Sequence, residues 1–446
     1  MIPMRDSFRT RLGFILAAAG SAVGLGNIWG FPTQVANHGG AAFLVVYLVV
    51  VVILAIPALY TELSIGHQAQ ANPVAALGKL AQRPHRLGAG LGKSVGLLNV
   101  GGAILMLSFY HIIAGWMLAH ALGSLALAVD WPEAHKALTT SSLWRDLVFV
   151  AVFLIGTGTI VVRGVSNGIE VWSRRLMPLL VVLLLVLIGY IAMQPGAGAG
   201  FARYLQPSMA GFSDPNLVVA AMGQAFFSLS IGLGGMMIYG SYLNRDANIG
   251  QLAISVAALD TLIAFLAGLL IIPALYVAMG QGMQVSENGQ LIGEAQLIFN
   301  VLPELFQRMG AAGPWLGFFF FLLLSIAALT STISLAEVPI AYLLESRQHS
   351  RRRATTLVIA AIAIFAIALV IWFVPLFAWT VAYVTKFQLP LSGLFYFIVL
   401  GWLWSRSNKL KDQAQQHWRF RLLFWHLRLI CPLLLLWVFI DVAFAG

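Results

Sequence analysis

Apolar residues run through this chain in long blocks separated by short polar segments, and these blocks set its architecture. A helix needs about 20 predominantly apolar residues to cross the roughly 30 Å of a bilayer core. Eleven blocks qualify, of which the first and the sixth are interrupted by glycine and polar residues. We number them spans 1 to 11: Gly13–Gln34, Ala41–Gly66, Val95–Leu122, Leu147–Val162, Met177–Met193, Val218–Leu243, Ile254–Met279, Pro314–Leu344, Thr355–Phe373, Leu376–Trp404 and Leu422–Phe444. The pattern predicts an all-α integral membrane protein.

Composition agrees with this class. The 446 residues are 60% hydrophobic and only 9% charged, whereas a soluble domain has about 25% charged residues. The single cysteine, Cys431, excludes an intrachain disulfide framework. The first apolar block imitates a secretory signal, but it runs into Asn27-Ile-Trp-Gly-Phe-Pro and a second long block soon follows. We therefore expect it to belong to the mature protein.

The basic residues give the orientation. Twenty-one Lys and Arg lie before span 1 or in segments on the same side, and four lie on the other side. The positive-inside rule then predicts a cytoplasmic N-terminus, an external C-terminus and a location in the plasma (inner) membrane. The same asymmetry accounts for the net charge of +10, so we expect the lipid bilayer, and no nucleic acid, as a partner.

Span 1 is interrupted in mid-membrane. Gly20, Ser21, Gly24 and Gly26 disfavour a continuous helix, and Asn27 is polar where lipid would penalise an amide. Non-helical backbone at this depth persists only when it is buried in protein or lines a cavity. Its free carbonyls could bind a cation, but a close crossing of small residues explains span 1 alone equally well.

Span 6 carries a matching interruption. Its middle contains Ser228, Ser230, Gly232, Gly234 and Gly235. Two broken spans, five apart, are typical of an inverted repeat whose breaks meet at a transport site. We therefore predict two five-helix repeats, 13–193 and 218–404, with an accessory eleventh helix in 405–446, all in one transporter domain. The pair of breaks favours transport over helix packing.

Four motifs resemble a known family. The chain contains RLGFILAAAGSAVGLGNIWGFP in span 1, SFYHIIAGW in span 3, GQAFFSLSIGLGG in span 6 and ALTSTISLAE in span 8. These are similar to the neurotransmitter:sodium symporter family, in its bacterial amino-acid branch. The resemblance covers essentially every span and implies a sodium-coupled carrier, not an enzyme, that works by alternating access.

The resemblance implies two sodium sites, occupied by one or two ions. Matching by motif gives the second site the carbonyls of Gly20, Val23 and Ala327 and the hydroxyls of Thr330 and Ser331. The first site takes Ala22, Asn27, Ser228 and Asp260. Oxygen ligands suit a hard cation. Independently of the family, Asp260 is an intramembrane carboxylate in a stretch without basic residues, which marks a functional candidate.

The resemblance also places a substrate at mid-membrane. Tyr110 and the backbone of Leu25 and Gly26 would bind its carboxylate. The side-chain pocket would be formed by Met106, Phe227, Ser228, Ser230, Leu233 and Leu335. Glu62, a second buried acid, is expected to brace the unwound part of span 1. Without the family, hydroxyls such as Thr330 are equally well explained by back-bonding within their helix, and the aromatic stripe by packing.

The gates differ from the family pattern. The inner gate has its residues in Arg5, Tyr242 and Glu345, with Glu345 in place of an aspartate. The outer gate lacks both charged members, because Gly30 replaces an arginine and Phe377–Thr385 contains no acid. Closure is expected to rest on the bulk of Trp29, Phe31, Phe227 and Tyr110.

The substrate remains open at this stage. A neutral amino acid is the first expectation, and a small carboxylate or bicarbonate is the alternative, suggested by the missing gate and by Lys386, which could also simply snorkel. A channel or a non-transporting sensor on the same scaffold is the further alternative. Residues 291–307, in the longest outer loop, are expected to form a short amphipathic helix.

Overall fold

The computed structural model describes residues 6–81, 86–287, 290–291, 294–403 and 418–444. Nine helices within these residues are long and apolar enough to cross a membrane. They are Ala41–Ala69, Gly88–Ala128, Leu143–Val161, Val165–Ala192, Ile249–Gly280, Gly310–Arg347, Arg351–Ile371, Leu376–Leu403 and Arg421–Val442. Each coincides with a predicted span, so spans 2 to 5 and 7 to 11 are confirmed as helices.

Span 1 is broken. Its inner half is the helix Arg11–Ala22, which begins where the hydroxyl of Thr10 accepts a hydrogen bond from the amide of Gly13. Val23 takes an extended conformation and ends this helix. The outer half begins with the π-helical turn Gly26–Gly30 and continues as the helix Phe31–Asn37. The two halves are bent by 59°, so the glycine-rich stretch does interrupt the span.

Span 6 is broken in the same way. It consists of the helices Leu217–Ser228 and Gly235–Ser241. Between them the backbone takes positive φ at Ser230 (52°), Gly232 (101°) and Gly234 (81°). Glycine adopts such angles freely, whereas serine does so at a conformational cost. With the bent span 1, the described residues contain up to ten apolar spans, and the two short helices of span 6 lie where the sequence predicts the remaining span.

Several spans are subdivided and short elements join them. Spans 2, 5, 10 and 11 contain π-helical turns at Val51–Ala55, Val165–Ile169, Tyr383–Gln388, Val399–Leu403 and His426–Ile430. Span 8 comprises the helices Gly313–Leu335 and Glu337–Arg347. The connecting helices are Pro73–Leu80, Pro132–Thr139 and Ala197–Leu205, with 3₁₀ turns at Met209–Ser213 and Gly310–Ala312.

The long outer loop has its own structure. The strands Ser286–Glu287 and Gln290–Leu291 pair antiparallel. A helical segment follows, as Glu294–Gln296, the π-helical turn Leu297–Val301 and Leu302–Gln307. Leu297, Leu302 and Leu305 of this segment are buried, which confirms the expected amphipathic helix and docks it on the membrane helices.

The core lies around span 1, where small residues allow close helix contacts. Ala17, Ala18 and Ala19 of its inner half are fully buried. The tightest contact is elsewhere, between spans 2 and 6. A Cβ atom added to Gly66 would overlap the carbonyl oxygen of Met237, and one added to Gly240 would overlap that of Leu63. Glycine at these two positions therefore permits backbone contact between the two helices.

Candidate sodium and substrate site

The breaks of spans 1 and 6 face one small cavity with a volume of about 30 Å³, roughly that of one water molecule in the liquid. Spans 3 and 8 supply its other walls. The cavity is lined by Ser21, Ala22, Gly24, Gly26, Met106, Leu107, Tyr110, Phe227, Ser228, Ser230, Leu233, Gly235, Ser331 and Leu335. This set includes every substrate residue named from the motifs except Leu25.

Leu25 reaches the site through its backbone. Its amide N–H donates to the hydroxyl of Tyr110 over 3.1 Å, although the two residues are 85 positions apart in the chain. A Cβ atom on Gly24 would meet the hydroxyls of Tyr110 and Ser331 at 2.5 and 2.8 Å. The tyrosine hydroxyl therefore lies directly against the unwound backbone of span 1, between residues predicted to bind sodium and residues predicted to bind substrate.

The residues of the second predicted sodium site converge. The hydroxyl of Ser331 lies 3.2 Å from the carbonyl oxygens of both Val23 and Ala327, and the hydroxyl of Thr330 lies 2.9 Å from that of Ala327. A Cβ atom on Gly20 would be 3.3 Å from Cβ of Thr330. Both hydroxyls also back-bond within their helix, and each keeps oxygen lone pairs for a cation. The donor set therefore fits a hard ion such as sodium.

The first predicted sodium site is organised around Asp260. The amide Nδ2 of Asn27 donates to Oδ1 of Asp260 over 2.8 Å, and the hydroxyl of Ser228 donates to Oδ2 over 2.7 Å. Both partners come from broken spans, while Asp260 lies on the continuous span 7. All three side chains are almost fully buried, and Ala22 lines the cavity beside them. Three of the four predicted residues are thus joined by hydrogen bonds, and the fourth, Ala22, lines the same cavity as Ser228.

Glu62 braces the other break. Its carboxylate accepts hydrogen bonds from the amides of Gly232, Met236 and Met237 over 3.0 to 3.2 Å. These amides belong to the unwound part and the second helix of span 6, so the expectation that Glu62 braces span 1 was wrong. A buried carboxylate satisfies three amides that the interruption leaves without helical partners.

The inner face contains a network that the sequence analysis only partly named. The hydroxyl of Tyr242 donates to Glu337 over 2.6 Å, and Arg351 forms a two-pronged ion pair with the same carboxylate at 2.8 and 2.6 Å. Arg351 also donates to the carbonyl of Val161. Two sequence features could have indicated this network: Arg351, the first residue of the helix that forms span 9, and Glu337, an acid within the apolar span 8.

Of the two remaining predicted gate residues, the structure describes only Glu345. Glu345 accepts hydrogen bonds from the backbone and side-chain amides of Asn72 over 2.8 and 2.9 Å. Arg5 lies outside the described residues. The inner-gate assignment to Arg5, Tyr242 and Glu345 therefore stays a prediction.

The four rings expected to close the site lie in different places. Phe31 does not line the cavity and packs on Tyr47 and Phe43, at 4.8 and 6.0 Å between ring centroids, so its assignment to the closing bulk was wrong. Phe227 and Tyr110 line the cavity. Trp29 packs on Phe299 of the outer loop, a residue that no sequence motif singled out.

Comparisons with known proteins agree with this arrangement. A model of the sodium:neurotransmitter symporter family matches residues 5–146 and 143–445. The chain belongs to the sodium:neurotransmitter symporter family. It is therefore a membrane transporter of a sodium-dependent class and is not grouped with enzymes.

Individual relatives support the same assignment. The chain is 33% identical to an uncharacterised sodium-dependent transporter of Bacillus subtilis over 349 residues, which are 77% of this chain and 74% of the relative. It is 28% identical to an uncharacterised sodium-dependent transporter of Methanocaldococcus jannaschii over 92% of this chain and 84% of the relative. Its structure resembles the crystal structure of MhsT in complex with L-phenylalanine, with a TM-score of 0.81, 35% identity and coverage of 98% and 100%.

Proposed function

We propose that the protein imports a small neutral amino acid together with sodium by alternating access. The observation that carries this proposal is the hydroxyl of Tyr110 at the break of span 1, 3.1 Å from the amide of Leu25. A tyrosine hydroxyl beside the backbone amides of a helix break suits a carboxylate. The likeness to MhsT, whose complex contains L-phenylalanine, supports an amino acid as the substrate that carries this carboxylate.

The lining of the cavity supports a neutral side chain. Every described residue that lines it is uncharged, and a charged cargo would be left unpaired after desolvation. Met106, Leu233 and Leu335 supply an apolar surface, while Ser230 supplies one hydroxyl. The ring of Phe227 lies against Gly26, because a Cβ atom added to Gly26 would be only 3.1 Å from this ring. This contact limits the volume of the cavity. We therefore expect glycine, alanine or a similarly small residue to be preferred.

We place sodium at both predicted sites. Asp260 would hold one ion with Ala22, Asn27 and Ser228, and Gly20, Val23, Ala327, Thr330 and Ser331 would hold the other. Sodium binding at the junction of broken and continuous spans would fix the breaks in the form that binds substrate. The division into repeats 13–193 and 218–404, the cytoplasmic N-terminus and the inner-membrane location belong to the same proposal.

Uptake into proteoliposomes tests the proposal. Purified protein is reconstituted, and accumulation of radiolabelled alanine is compared with an inward sodium gradient and with potassium in its place. Uptake should saturate and require sodium. Tyr110→Phe should raise the KM at least tenfold, while the matched control Tyr190→Phe, on span 5, should not change it.

Competition defines the substrate. Unlabelled glycine, alanine, leucine, phenylalanine and tryptophan are compared with acetate, lactate and bicarbonate. The small anions are included because Lys386 suggested them, although Lys386 does not line the cavity. Competition by the anions and none by amino acids would replace the proposal with an anion carrier. Linear, sodium-independent flux would indicate a channel instead.

A further inference from the structure

A cluster of aromatic rings lies next to the cavity, since Trp29 follows the lining residue Gly26 by three positions and Phe109 directly precedes Tyr110. Its centre is Phe299, in the π-helical turn Leu297–Val301 of the outer loop. The centroid of this ring lies 5.9 Å from Trp29, 5.9 Å from Trp116, 5.0 Å from His120 and 6.0 Å from Phe321. One loop residue thus contacts span 1, which is broken, and spans 3 and 8, which are continuous.

The cluster continues across span 10. Trp116 packs on Phe373 at 5.5 Å, Phe373 stacks on Phe377 at 4.6 Å, and Phe377 meets Phe109 at 5.9 Å. These rings follow the boundary between span 10 and the middle and outer parts of span 3. They occupy the region where the sequence analysis found no acid, since Phe377 opens the stretch 377–385.

Gly30, the other position at which the family has a charged gate residue, is also uncharged. Gly30 follows Trp29, and a Cβ atom added there would meet only Oε1 of Gln224, at 3.5 Å. Gln224 donates to the carbonyl of Gly26 over 2.8 Å, so this neutral amide closes the side of span 6. The contact of Trp29 with Phe299 and the amide of Gln224 therefore involve no charged group, whereas the far side of the cluster adjoins the ion pair of Arg145 with Asp146, whose carboxylate accepts from the indole N–H of Trp116.

Two features indicate that Phe299 can leave this position. Its ring also lines an outer cavity of about 490 Å³, which it shares with His120, Phe321, Pro303 and Glu304. The ring can therefore shift toward open space without displacing a packed core. In addition, the indole N–H of Trp29 is buried without a hydrogen-bond partner among the described residues. Such a donor disfavours the closed form and would regain water on opening.

We propose that Phe299 is the outer gate of this transporter and that its contact with Trp29 replaces the charged pair of the family. In the closed form the ring bridges span 1 and spans 3 and 8. In the outward-open form it separates from Trp29 and remains with the outer loop. This inference rests on the alternating access of the proposed function, and it predicts closure that salt does not weaken, because aromatic contacts carry no net charge to screen.

Cysteine accessibility tests the gate without any transport assay. The only native cysteine, Cys431, is fully buried, so Met106→Cys places one reactive thiol in the cavity. Right-side-out vesicles are treated with 2-(trimethylammonium)ethyl methanethiosulfonate at a fixed sodium concentration. Adding Phe299→Ala should raise the labelling rate at least tenfold. The control Phe318→Ala, which removes a half-buried ring that packs on Trp315 and Phe319, should change it less than twofold.

Further variants separate gating from loss of structure. Trp29→Ala should raise the labelling rate as Phe299→Ala does. Phe299→Leu replaces the alanine variant if that variant fails to fold. Because leucine keeps most of the side-chain volume, its labelling rate should lie between the wild-type rate and the tenfold higher rate. Raising the ionic strength tenfold with N-methylglucamine chloride should leave the labelling rate of Met106→Cys unchanged when Phe299 and Trp29 are retained. Equal labelling with and without Phe299, equal increases in Phe299→Ala and Phe318→Ala, or strong salt dependence would each overturn the proposal. Because labelling does not depend on cargo, failure of amino-acid uptake alone would count only against the proposed function.

Discussion

The side-chain amide of Asn27 donates to Oδ1 of Asp260 over 2.8 Å, joining the break of span 1 to the continuous span 7. The two residues are 233 positions apart, and both are buried. No Lys or Arg side chain forms an ion pair with Asp260 among the described residues. This arrangement motivates the proposed sodium ion at Asp260, since a buried charge needs compensation.

Asp260→Asn should lower sodium affinity at least tenfold or make uptake depend on an external anion. The substitution removes the negative charge and sets one amide against another at Asn27. The measurement is uptake as a function of sodium, with gluconate and chloride as alternative anions. Asp246→Asn, in the exposed loop before span 7, is the matched control. Identical sodium and anion requirements in Asp260→Asn and wild type would show that Asp260 is not a sodium ligand.

Replacing Thr330 and Ser331 together by alanine should abolish sodium-dependent uptake while the protein still folds. The double substitution removes two of the five oxygen ligands proposed for the second site. Sodium-induced protection against thermal unfolding should fall in parallel. The control is Thr159→Ala with Ser255→Ala, two exposed hydroxyls that also back-bond within their helices. If sodium dependence survives in the first double variant, the second site lies elsewhere.

Gly30→Arg should reduce the maximal uptake rate more than tenfold. The arginine would enter the closing surface between Trp29 and Gln224 without an acid to pair with it, and an unpaired buried cation is strongly unfavourable. Gly30→Ala is the control, because its Cβ atom would meet Gln224 at an ordinary 3.5 Å. Normal transport by Gly30→Arg would mean that this position opens to water throughout the cycle.

Acid should remove the contribution of the outer contact between Asp214 and His38, whose carboxylate and ring nitrogen are 2.7 Å apart. Partial burial raises the pKa of the Asp214 carboxyl, but the hydrogen bonds with His38 and the Asn216 amide and the charge of His38 outweigh it and lower this pKa. A carboxyl with a lowered pKa stabilises the fold above its ordinary pKa of 3.8, and the effect disappears as the pH falls through the lowered value.

Asp214→Asn should therefore lower the thermal unfolding temperature at pH 7, and the decrease should be smaller near pH 3, below the ordinary pKa of 3.8. The side chains are partly exposed, so the effect at pH 7 corresponds to about 0–1 kcal/mol. Thermal unfolding in detergent measures both values, with Asp130→Asn in the neighbouring outer loop as the control. An equal decrease at both pH values would assign the effect to packing and not to the charge.

The sequence predicted those parts of the site that depend on local chain features. Glycine density located both breaks. The motifs placed Tyr110 and Ser331 next to backbone of span 1, and Asp260 next to the side chains of Asn27 and Ser228, and the structure brings each of these groups within hydrogen-bonding distance. The partners of Glu62 and Glu337 could not be read in this way. Each is a buried acid whose partner lies on another span, and spacing along the chain does not tell which of two breaks a carboxylate will reach.

Phe299 was missed for a different reason. Its surroundings Leu297–Val301 have the apolar pattern of any docked surface helix, and nothing in that pattern distinguishes a ring over the cavity from one on the core. Only the packing of the loop against Trp29 and Trp116 distinguishes a ring next to the cavity from a ring in the core. Phe31 shows the converse, because its proximity to Trp29 in sequence suggested a closing role that the direction of its helix face excludes.

The close approach of spans 2 and 6 has a mechanical consequence. Gly66 and Gly240 put the two backbones in contact, and Glu62 holds three amides of span 6 from span 2. Sliding by even one residue would break all three hydrogen bonds and drive side chains into carbonyl oxygens. We therefore expect span 2 and the second helix of span 6 to move together as one rigid body, with any bending of span 6 at the positive-φ residues Ser230, Gly232 and Gly234.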